Sequence, residues 1–278
     1  MEEKWARIGD LDLHYLDSGG NQDVILMLHG LASSCHWYDL ISPFLTEHHR
    51  LIIPDQRGHG KTTQASNGYD WYTLSRDVMA LVDELGLETV TVAGHSWGGN
   101  VAINIAAYYP DRIKALVMID GGFFTPEIMP GATWDQFRSR LSPRKVEGTR
   151  DEYLAYMKRG LEPCWSQEVQ RILLTMVWED VSGQVVDILK EDNHAQIVRA
   201  MWEYPASTTW SKIVCPTLII PAESARTSHS GLNIRKKVVE LAHEAIEDSE
   251  VFWMRDTIHD IGWDKPAELA FAIDQFVR

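Results

Sequence analysis

The first half of the chain alternates largely apolar runs with segments of helical spacing, and this alternation limits the possible folds more than any other feature. Residues 24–28, 51–53 and 113–119 are such runs, and they end at His-Gly, Pro-Asp and Asp-Gly pairs. Runs of this kind fit strands that are buried on both faces of a parallel sheet. Residues 73–85 place apolar side chains at helical spacing before a glycine stop signal. Strand, helix, strand, helix predicts a doubly wound, mostly parallel α/β sheet.

The second half changes character. Residues 123–212 contain no comparable strand-like run; they are helical in pattern and rich in tryptophan and tyrosine. Strand-type sequence returns at 216–220. We therefore expect a core domain formed by residues 1–122 and 213–278, with a helical cap, residues 123–212, inserted after the sixth strand.

Composition excludes several functional classes. The 278 residues carry a formal net charge of −14, which argues against a nucleic-acid partner because phosphates need a basic face. No apolar run reaches the roughly 18 residues of a membrane span, and no signal-peptide pattern is present at the start. The 3 cysteines are too few for a disulfide framework. We expect a cytoplasmic protein without a membrane partner, and the monomer and the homodimer both stay open.

The motif Gly94-His95-Ser96-Trp97-Gly98 lies directly after a short β-branched strand and before a helix of small residues. A serine hydroxyl is a weak nucleophile unless it is held exposed beside a base. A sharp strand-to-helix turn holds it in this way, and glycines two positions before and after the serine remove side chains that would collide. The motif predicts that Ser96 is a catalytic nucleophile.

In this context the chain resembles the α/β-hydrolases, and the resemblance extends over nearly its whole length. His29-Gly30-Leu31 matches the segment at the end of the third strand that carries an oxyanion donor, and residues 55–60 resemble the family's Asp-x-Arg-Gly-x-Gly turn. The resemblance implies an eight-stranded sheet and an oxyanion hole formed by the backbone amides of Leu31 and Trp97. It implies neither a metal nor an organic cofactor.

The resemblance also places a histidine base in the loop after the last strand, and His259 lies in that loop. The family usually has glycine before this histidine, whereas this chain has Ile258. His95, inside the turn around Ser96, is interpreted as a packing or hydrogen-bonding neighbour of the site.

The acid that orients the base departs from the common pattern. Most α/β-hydrolases carry it after the seventh strand, where this chain offers only Glu223, two residues early. Asp120 follows the sixth strand, where some relatives place the acid, and two glycines after it let the backbone turn. Aspartate at such a point is often only a turn former. The sequence favours Asp120 and keeps Glu223 as the alternative acid.

Together these residues predict a serine hydrolase that cleaves carboxylic esters or lactones of hydrophobic or aromatic small molecules through an acyl-enzyme. Serine at the turn argues against dehalogenase and epoxide hydrolase chemistry, for which the family uses aspartate. The alternatives are a carbon–carbon bond hydrolase or cofactor-free perhydrolase with the same triad, or a receptor of the same fold that senses a small ligand without turnover.

The cap aromatics would select the substrate, although most of them are expected to form the core of the cap itself. The residues predicted to reach the substrate are Gly30, His95, Trp178, Trp202 and Met129.

Overall fold

A sheet of eight strands forms the centre of the molecule in the computed structural model, which describes residues 1–128, 131–144, 148–224 and 228–278. The strands within these ranges are β1 (Glu2–Ile8), β2 (Leu11–Asp17), β3 (Val24–Leu28), β4 (Arg50–Pro54), β5 (Val90–His95), β6 (Ile113–Ile119), β7 (Val177–Glu179), β8 (Val185–Asp187), β9 (Thr217–Ile220), β10 (Ala222–Glu223), β11 (Ser249–Val251) and β12 (Met254–Arg255). In space the sheet runs β1-β2-β4-β3-β5-β6-β9-β11. β2 pairs antiparallel with β1 and β4, and the other pairs are parallel.

Helices cover both faces of this sheet. The helices of the described residues are α1 (Ser42–Leu45), α2 (Trp71–Glu84), α3 (Trp97–Tyr108), α4 (Trp134–Arg140), α5 (Arg150–Leu161), α6 (Gln167–Leu173), α7 (Glu191–Glu203), α8 (His229–Ala245), α9 (Ile261–Asp264) and α10 (Pro266–Val277). Single 3₁₀ turns cover Cys35–Tyr38, Pro110–Arg112, Pro126–Ile128, Glu162–Cys164, Ala206–Thr208 and Trp210–Lys212. One apolar layer contains α2, α3 and α8, and a second contains α1, α9 and α10. The predicted doubly wound, mostly parallel eight-stranded sheet is confirmed.

The register of the two central strands positions the site. β5 is buried along its length between β3 and β6, and in its pairing with β6 Gly94 faces Met118 and His95 faces Ile119. Ser96 and Asp120 therefore emerge side by side at the carboxyl edge of the sheet, where open α/β sheets place their ligands.

The segment 123–212 is mainly helical, but it also contains the antiparallel hairpin of β7 and β8. The helical pattern of this segment did not predict the hairpin, whose two strands have 3 residues each. The turn signal is local: Asp180 Oδ1 accepts hydrogen bonds from the amides of Ser182 and Gln184, and Gly183 has a φ of +80°.

Among the helices in the described ranges, none combines the length and the apolar character that crossing a bilayer requires.

Candidate active site

Ser96 occupies a strained backbone position between β5 and α3. Its φ of 54° and ψ of −121° lie where L-residues are rarely found. The turn brings two backbones into contact, since a Cβ on Gly98 would collide with the carbonyls of Leu28 and His29. The side chain consequently projects at the carboxyl edge of the sheet and is only partly covered.

His259 approaches Ser96 from the loop after β12. Its Nε2 lies 2.9 Å from Ser96 Oγ, so the hydroxyl can donate to the ring. The His259 carbonyl accepts a hydrogen bond of 3.0 Å from His95 Nε2, which fixes the loop from below. The imidazole side chain is 50 % exposed, so it faces solvent while it contacts the hydroxyl.

Asp120 lies beneath the imidazole with its carboxylate fully enclosed. Oδ2 accepts a hydrogen bond of 2.6 Å from His259 Nδ1, and Oδ1 accepts one of 2.9 Å from the amide of Ala222. The guanidinium of Arg235, on α8, also donates to Oδ1. Because an ionised carboxylate only accepts, these contacts place the imidazole proton on Nδ1 and leave Nε2 free to accept from Ser96.

The pKa of Asp120 is lowered and the pKa of His259 is raised. Burial raises the pKa of Asp120, but the hydrogen bond and charge of His259 and the charge of Arg235 outweigh it, so the net shift is downward. Partial desolvation lowers the pKa of His259, but the hydrogen bond and charge of Asp120 outweigh it and the net shift is upward. Asp120 is therefore ionised at neutral pH and stabilises a protonated imidazole.

Glu223, the alternative acid, does not contact His259. It lies on β10, where its carboxylate is 4.0 Å from Lys236 Nζ. The structure brings Asp120, and not Glu223, to Nδ1 of His259.

The two amides predicted to bind an oxyanion border the same position. Gly30 packs against the Ser96 side chain, with Leu31 next to it, and Trp97 directly follows Ser96 in the chain. Neither the Leu31 nor the Trp97 amide has a hydrogen-bond acceptor among the described residues. Two free N–H groups beside a hydroxyl can stabilise negative charge that develops on a carbonyl oxygen.

Ala32 holds the loop of Leu31 in an unusual conformation. Its φ is 52°, in the left-handed region. Its amide donates 3.1 Å to Nε2 of the buried His59, and its carbonyl accepts a hydrogen bond of 2.6 Å from Arg144. Arg144 belongs to the segment 123–212, so this segment and the core hold the loop from opposite sides.

The residues predicted to reach the substrate take different positions. His95 is 3 % exposed and stacks on Trp37 at 3.9 Å between ring centroids, so it supports the site from below. Trp202 packs with Phe137 in an aromatic cluster of α4 and α7, with ring centroids 5.3 Å apart. Both side chains pack against neighbouring aromatic rings, and their contact with a substrate stays a prediction. Met129 lies outside the described residues.

Trp178 is on β7, is 65 % exposed and lines a cavity of about 840 Å³ between the hairpin and residues 60–64. Further apolar walls of this cavity are Val186, Ile188 and Leu189. Arg144 also lines it, and the hydrogen bond from Arg144 to Ala32 connects the cavity to the loop of Leu31.

His14 on β2, Cys35 and Asp55 form a second group of buried polar side chains. Among the described residues, His14, Cys35 and Asp55 are the one set of three whose ligand atoms are close enough to hold a metal ion. Asp55 already accepts hydrogen bonds from His14 and from the amides of Cys35 and Lys61, and burial raises the pKa of the Cys35 thiol. This arrangement fits a structural hydrogen-bond network in which Asp55 connects β2 with the segments at Cys35 and Lys61.

Sequence reasoning missed three residues of the site. Arg235, Arg144 and His59 contact the acid or the loop of Leu31, and neither arginine lies in a recognised motif. His59 lies in the Asp-x-Arg-Gly-x-Gly turn, so its family motif was the available signal.

The sequence model of a protein family described as "alpha/beta hydrolase fold" matches residues 23–178. A cis-3-alkyl-4-alkyloxetan-2-one decarboxylase from Shewanella oneidensis is 37 % identical over 123 residues, which are 42 % of this chain and 38 % of that protein. A soluble epoxide hydrolase from a Corynebacterium species is 36 % identical over 115 residues, 41 % of this chain and 40 % of that protein. The chain thus spans about two fifths of the length of these curated relatives. The solved structure of an E-2-(acetamidomethylene)succinate hydrolase superimposes with a TM-score of 0.81 at 22 % identity, covering 99 % of this chain and 98 % of that one.

Proposed function

Because the chain belongs to the α/β-hydrolase fold family, we propose that it is a serine hydrolase that cleaves carboxylic esters or lactones of hydrophobic or aromatic small molecules through an acyl-enzyme. One observation carries the proposal: Ser96 Oγ lies 2.9 Å from a histidine whose other ring nitrogen is bonded to a buried carboxylate. This is the geometry that activates a hydroxyl for attack on an acyl carbon.

The proposed reaction begins when Ser96 Oγ attacks the carbonyl carbon and passes its proton to His259 Nε2. The amides of Leu31 and Trp97 stabilise the oxyanion of the tetrahedral intermediate. His259 then returns the proton to the leaving alcohol oxygen, and the carbon–oxygen bond breaks. In a lactone this oxygen stays attached to the acyl group as the ring opens. Water repeats the cycle on the acyl-enzyme and releases the acid, while Asp120 stays ionised throughout.

The serine nucleophile favours acyl transfer over alkyl transfer. Attack of Ser96 on an epoxide or a haloalkane would form an ether, which water does not hydrolyse under mild conditions, so the site would be blocked after one event. An acyl-serine is an ester and can turn over. The relative that is named for an oxetan-2-one, a four-membered lactone, supports the inclusion of lactones.

The proposed preference for apolar substrates rests on the cavity that Trp178 lines, which Arg144 links to the loop of Leu31 through its hydrogen bond to Ala32. Trp178, Val186, Ile188 and Leu189 give it apolar walls. We assign this cavity to the part of the substrate that does not react.

The proposal is tested with a panel of p-nitrophenyl esters, alkyl lactones and vinylogous diketones, with Ser96→Ala as the blank. We expect hydrolysis of the esters and lactones, a burst of nitrophenol equal to the enzyme concentration, and an acyl group on the peptide that contains Ser96 by mass spectrometry. Equal rates for the wild type and Ser96→Ala would overturn the proposal.

Two further outcomes of the panel identify the alternatives. Cleavage of the diketones alone would assign carbon–carbon bond hydrolysis to the site. A single slow acylation without turnover would assign a ligand-sensing role.

A further inference from the structure

Arg235 reaches the acid of the site from a helix that carries no recognised motif. It lies on α8, and its guanidinium contacts Asp120 Oδ1. The Arg235 side chain is 31 % exposed, whereas the Asp120 side chain is fully buried. The Arg235 side chain therefore contacts the enclosed carboxylate and is itself partly exposed to solvent.

The contact completes the hydrogen bonding of the carboxylate. Oδ2 accepts from His259, and Oδ1 accepts from the amide of Ala222 and from Arg235. The backbone of Asp120 is itself strained, with a φ of 40°. A short side chain on a strained backbone needs outside partners to keep one orientation. The Ala222 amide and His259 supply two of them, and Arg235 adds a positive charge beside Oδ1.

We propose that Arg235 is a positioning residue that acts on His259 through Asp120: its guanidinium is placed against Oδ1 of the enclosed carboxylate, where it offsets part of the negative charge around the imidazole. The proposal rests on the proposed function of the site, since it assigns Arg235 a part in keeping His259 able to accept the proton of Ser96.

Several charged groups act on the imidazole from different elements. Asp120 and Asp260 both favour the protonated ring, and Arg235 opposes them. Asp260 accepts a hydrogen bond of 2.9 Å from Trp37 Nε1. Burial lowers the pKa of His95 to about 4, so this neighbour is neutral at pH 7 and adds no charge. Lys236, one residue after Arg235, faces Glu223 instead of Asp120.

Removal of the guanidinium therefore has a defined sign. Without Arg235, Asp120 keeps its hydrogen bonds to His259 and to the amide of Ala222, so the two carboxylates act unopposed and the pKa of His259 rises further above its ordinary value. A larger fraction of the imidazole is then protonated at neutral pH and cannot act as a base. A merely structural role for Arg235 would change stability and leave this titration in place.

The test measures the titration of His259 directly, by NMR of protein with ¹³C-labelled histidine rings. The His259→Gln variant identifies its signal among the 11 histidines. Arg235→Met and Arg235→Gln remove the charge, with glutamine as the safer variant for folding. Arg235→Lys keeps the charge, and Lys236→Met is the matched control because it removes a cation from the same helix.

We expect the pKa of His259 to rise by about 0.5–1 unit in Arg235→Met and Arg235→Gln, to return towards the wild-type value in Arg235→Lys, and to stay unchanged in Lys236→Met. An unchanged or lowered pKa in the Arg235 variants, or an equal rise in Lys236→Met, would overturn the proposal. Because the titration needs no substrate, this result is independent of whether the wild type hydrolyses esters. Where esterase activity is present, the acid limb of the pH profile of kcat/KM should move by the same amount.

Discussion

Asp120 Oδ2 lies 2.6 Å from His259 Nδ1, across 139 positions of sequence. The register of the sheet explains how an acid after the sixth strand can serve this histidine. Ser96 directly follows the end of β5 and Asp120 directly follows the end of β6, and the two strands are neighbours. The chain after β9, the next strand of the sheet, contributes at Ala222 only a backbone amide to the carboxylate. The seventh strand of the sheet therefore supports the acid without carrying it.

The two candidate acids can be separated by paired isosteric variants. Asp120→Asn leaves a side chain that cannot fix the Nδ1 proton, so we expect kcat for a p-nitrophenyl ester to fall about 10⁴-fold. Glu223→Gln changes a group that faces Lys236, and we expect it to stay within about threefold of the wild type. A large loss in Glu223→Gln beside a near-normal Asp120→Asn would show that the acid is misassigned.

The backbone at Ser96 predicts a difference between two inactive variants. Ser96→Ala keeps a Cβ at a φ of 54°, whereas Ser96→Gly removes it. We expect both to lose activity, and the glycine variant to be more stable than the alanine variant by about 1 kcal/mol, because the relief of strain exceeds the entropy that glycine adds to the unfolded chain. Urea denaturation measures the difference. If alanine proves the more stable of the two, the turn is not strained.

The acid limb of the pH profile reports the ionisation of His259. The neutral ring is the base, and its pKa is raised above the ordinary value of about 6.5. We therefore expect kcat/KM to increase with pH through a midpoint above about 6.5 and to be level at higher pH. His95, with a pKa of about 4, adds no step in this range. A midpoint below 6 in the wild type would contradict the raised pKa.

Close backbone packing makes Gly121 intolerant of a side chain. A Cβ at this position would overlap the main chain of Ser96. We expect Gly121→Ala to lower the free energy of unfolding by about 2–3 kcal/mol and to reduce esterase activity, because the turn that carries the nucleophile must shift.

Gly160→Ala is the matched control for Gly121→Ala. Gly160 lies in α5, and no atom of the described part of the chain is near the place of its missing Cβ, so alanine there should stabilise the protein by about 0.5–1 kcal/mol. Thermal melts and ester turnover of both variants check the pair. Equal free energies of unfolding for the two variants would show that Gly121 is not closely packed against Ser96.

The hydrogen bond from Arg144 to the carbonyl of Ala32 predicts a link between the segment 123–212 and catalysis. Arg144→Met removes the donor, and we expect kcat/KM to fall about tenfold as the loop of Leu31 loses one of its two supports. Asp187→Asn is the control: it removes the ion pair of 3.3 Å with Arg144 and keeps the donor. Steady-state kinetics on a small activated ester measures both. An equal loss of activity in the two variants would show that the hydrogen bond to Ala32 does not support catalysis.

The parts of the site that could be predicted from sequence are those whose conformation is set locally. The turn around Ser96 needs small residues at fixed offsets, and the strand ends at Leu28 and Ile119 follow from apolar runs that stop at polar pairs. These signals depend on a few consecutive residues, so they can be recognised without knowledge of the tertiary structure.

The parts that could not be predicted depend on packing between distant elements. Arg235 is 115 positions from Asp120, and nothing in its neighbours along α8 distinguishes it from Lys236. Trp178 and Trp202 look alike in sequence, yet one is exposed on a hairpin and the other fills an aromatic cluster. Which aromatic side chains face a ligand is decided by how the helices of the segment 123–212 dock, and single-residue patterns do not encode this.

The ladder between β5 and β6 fixes the spacing of Ser96 and Asp120, whereas His259 depends on a few side-chain contacts of its loop. On heating, such a loop detaches long before a central sheet melts. We therefore expect thermal inactivation to begin with detachment of the loop that carries His259 while the sheet stays folded. Activity lost during brief exposure to moderate heat should return on cooling.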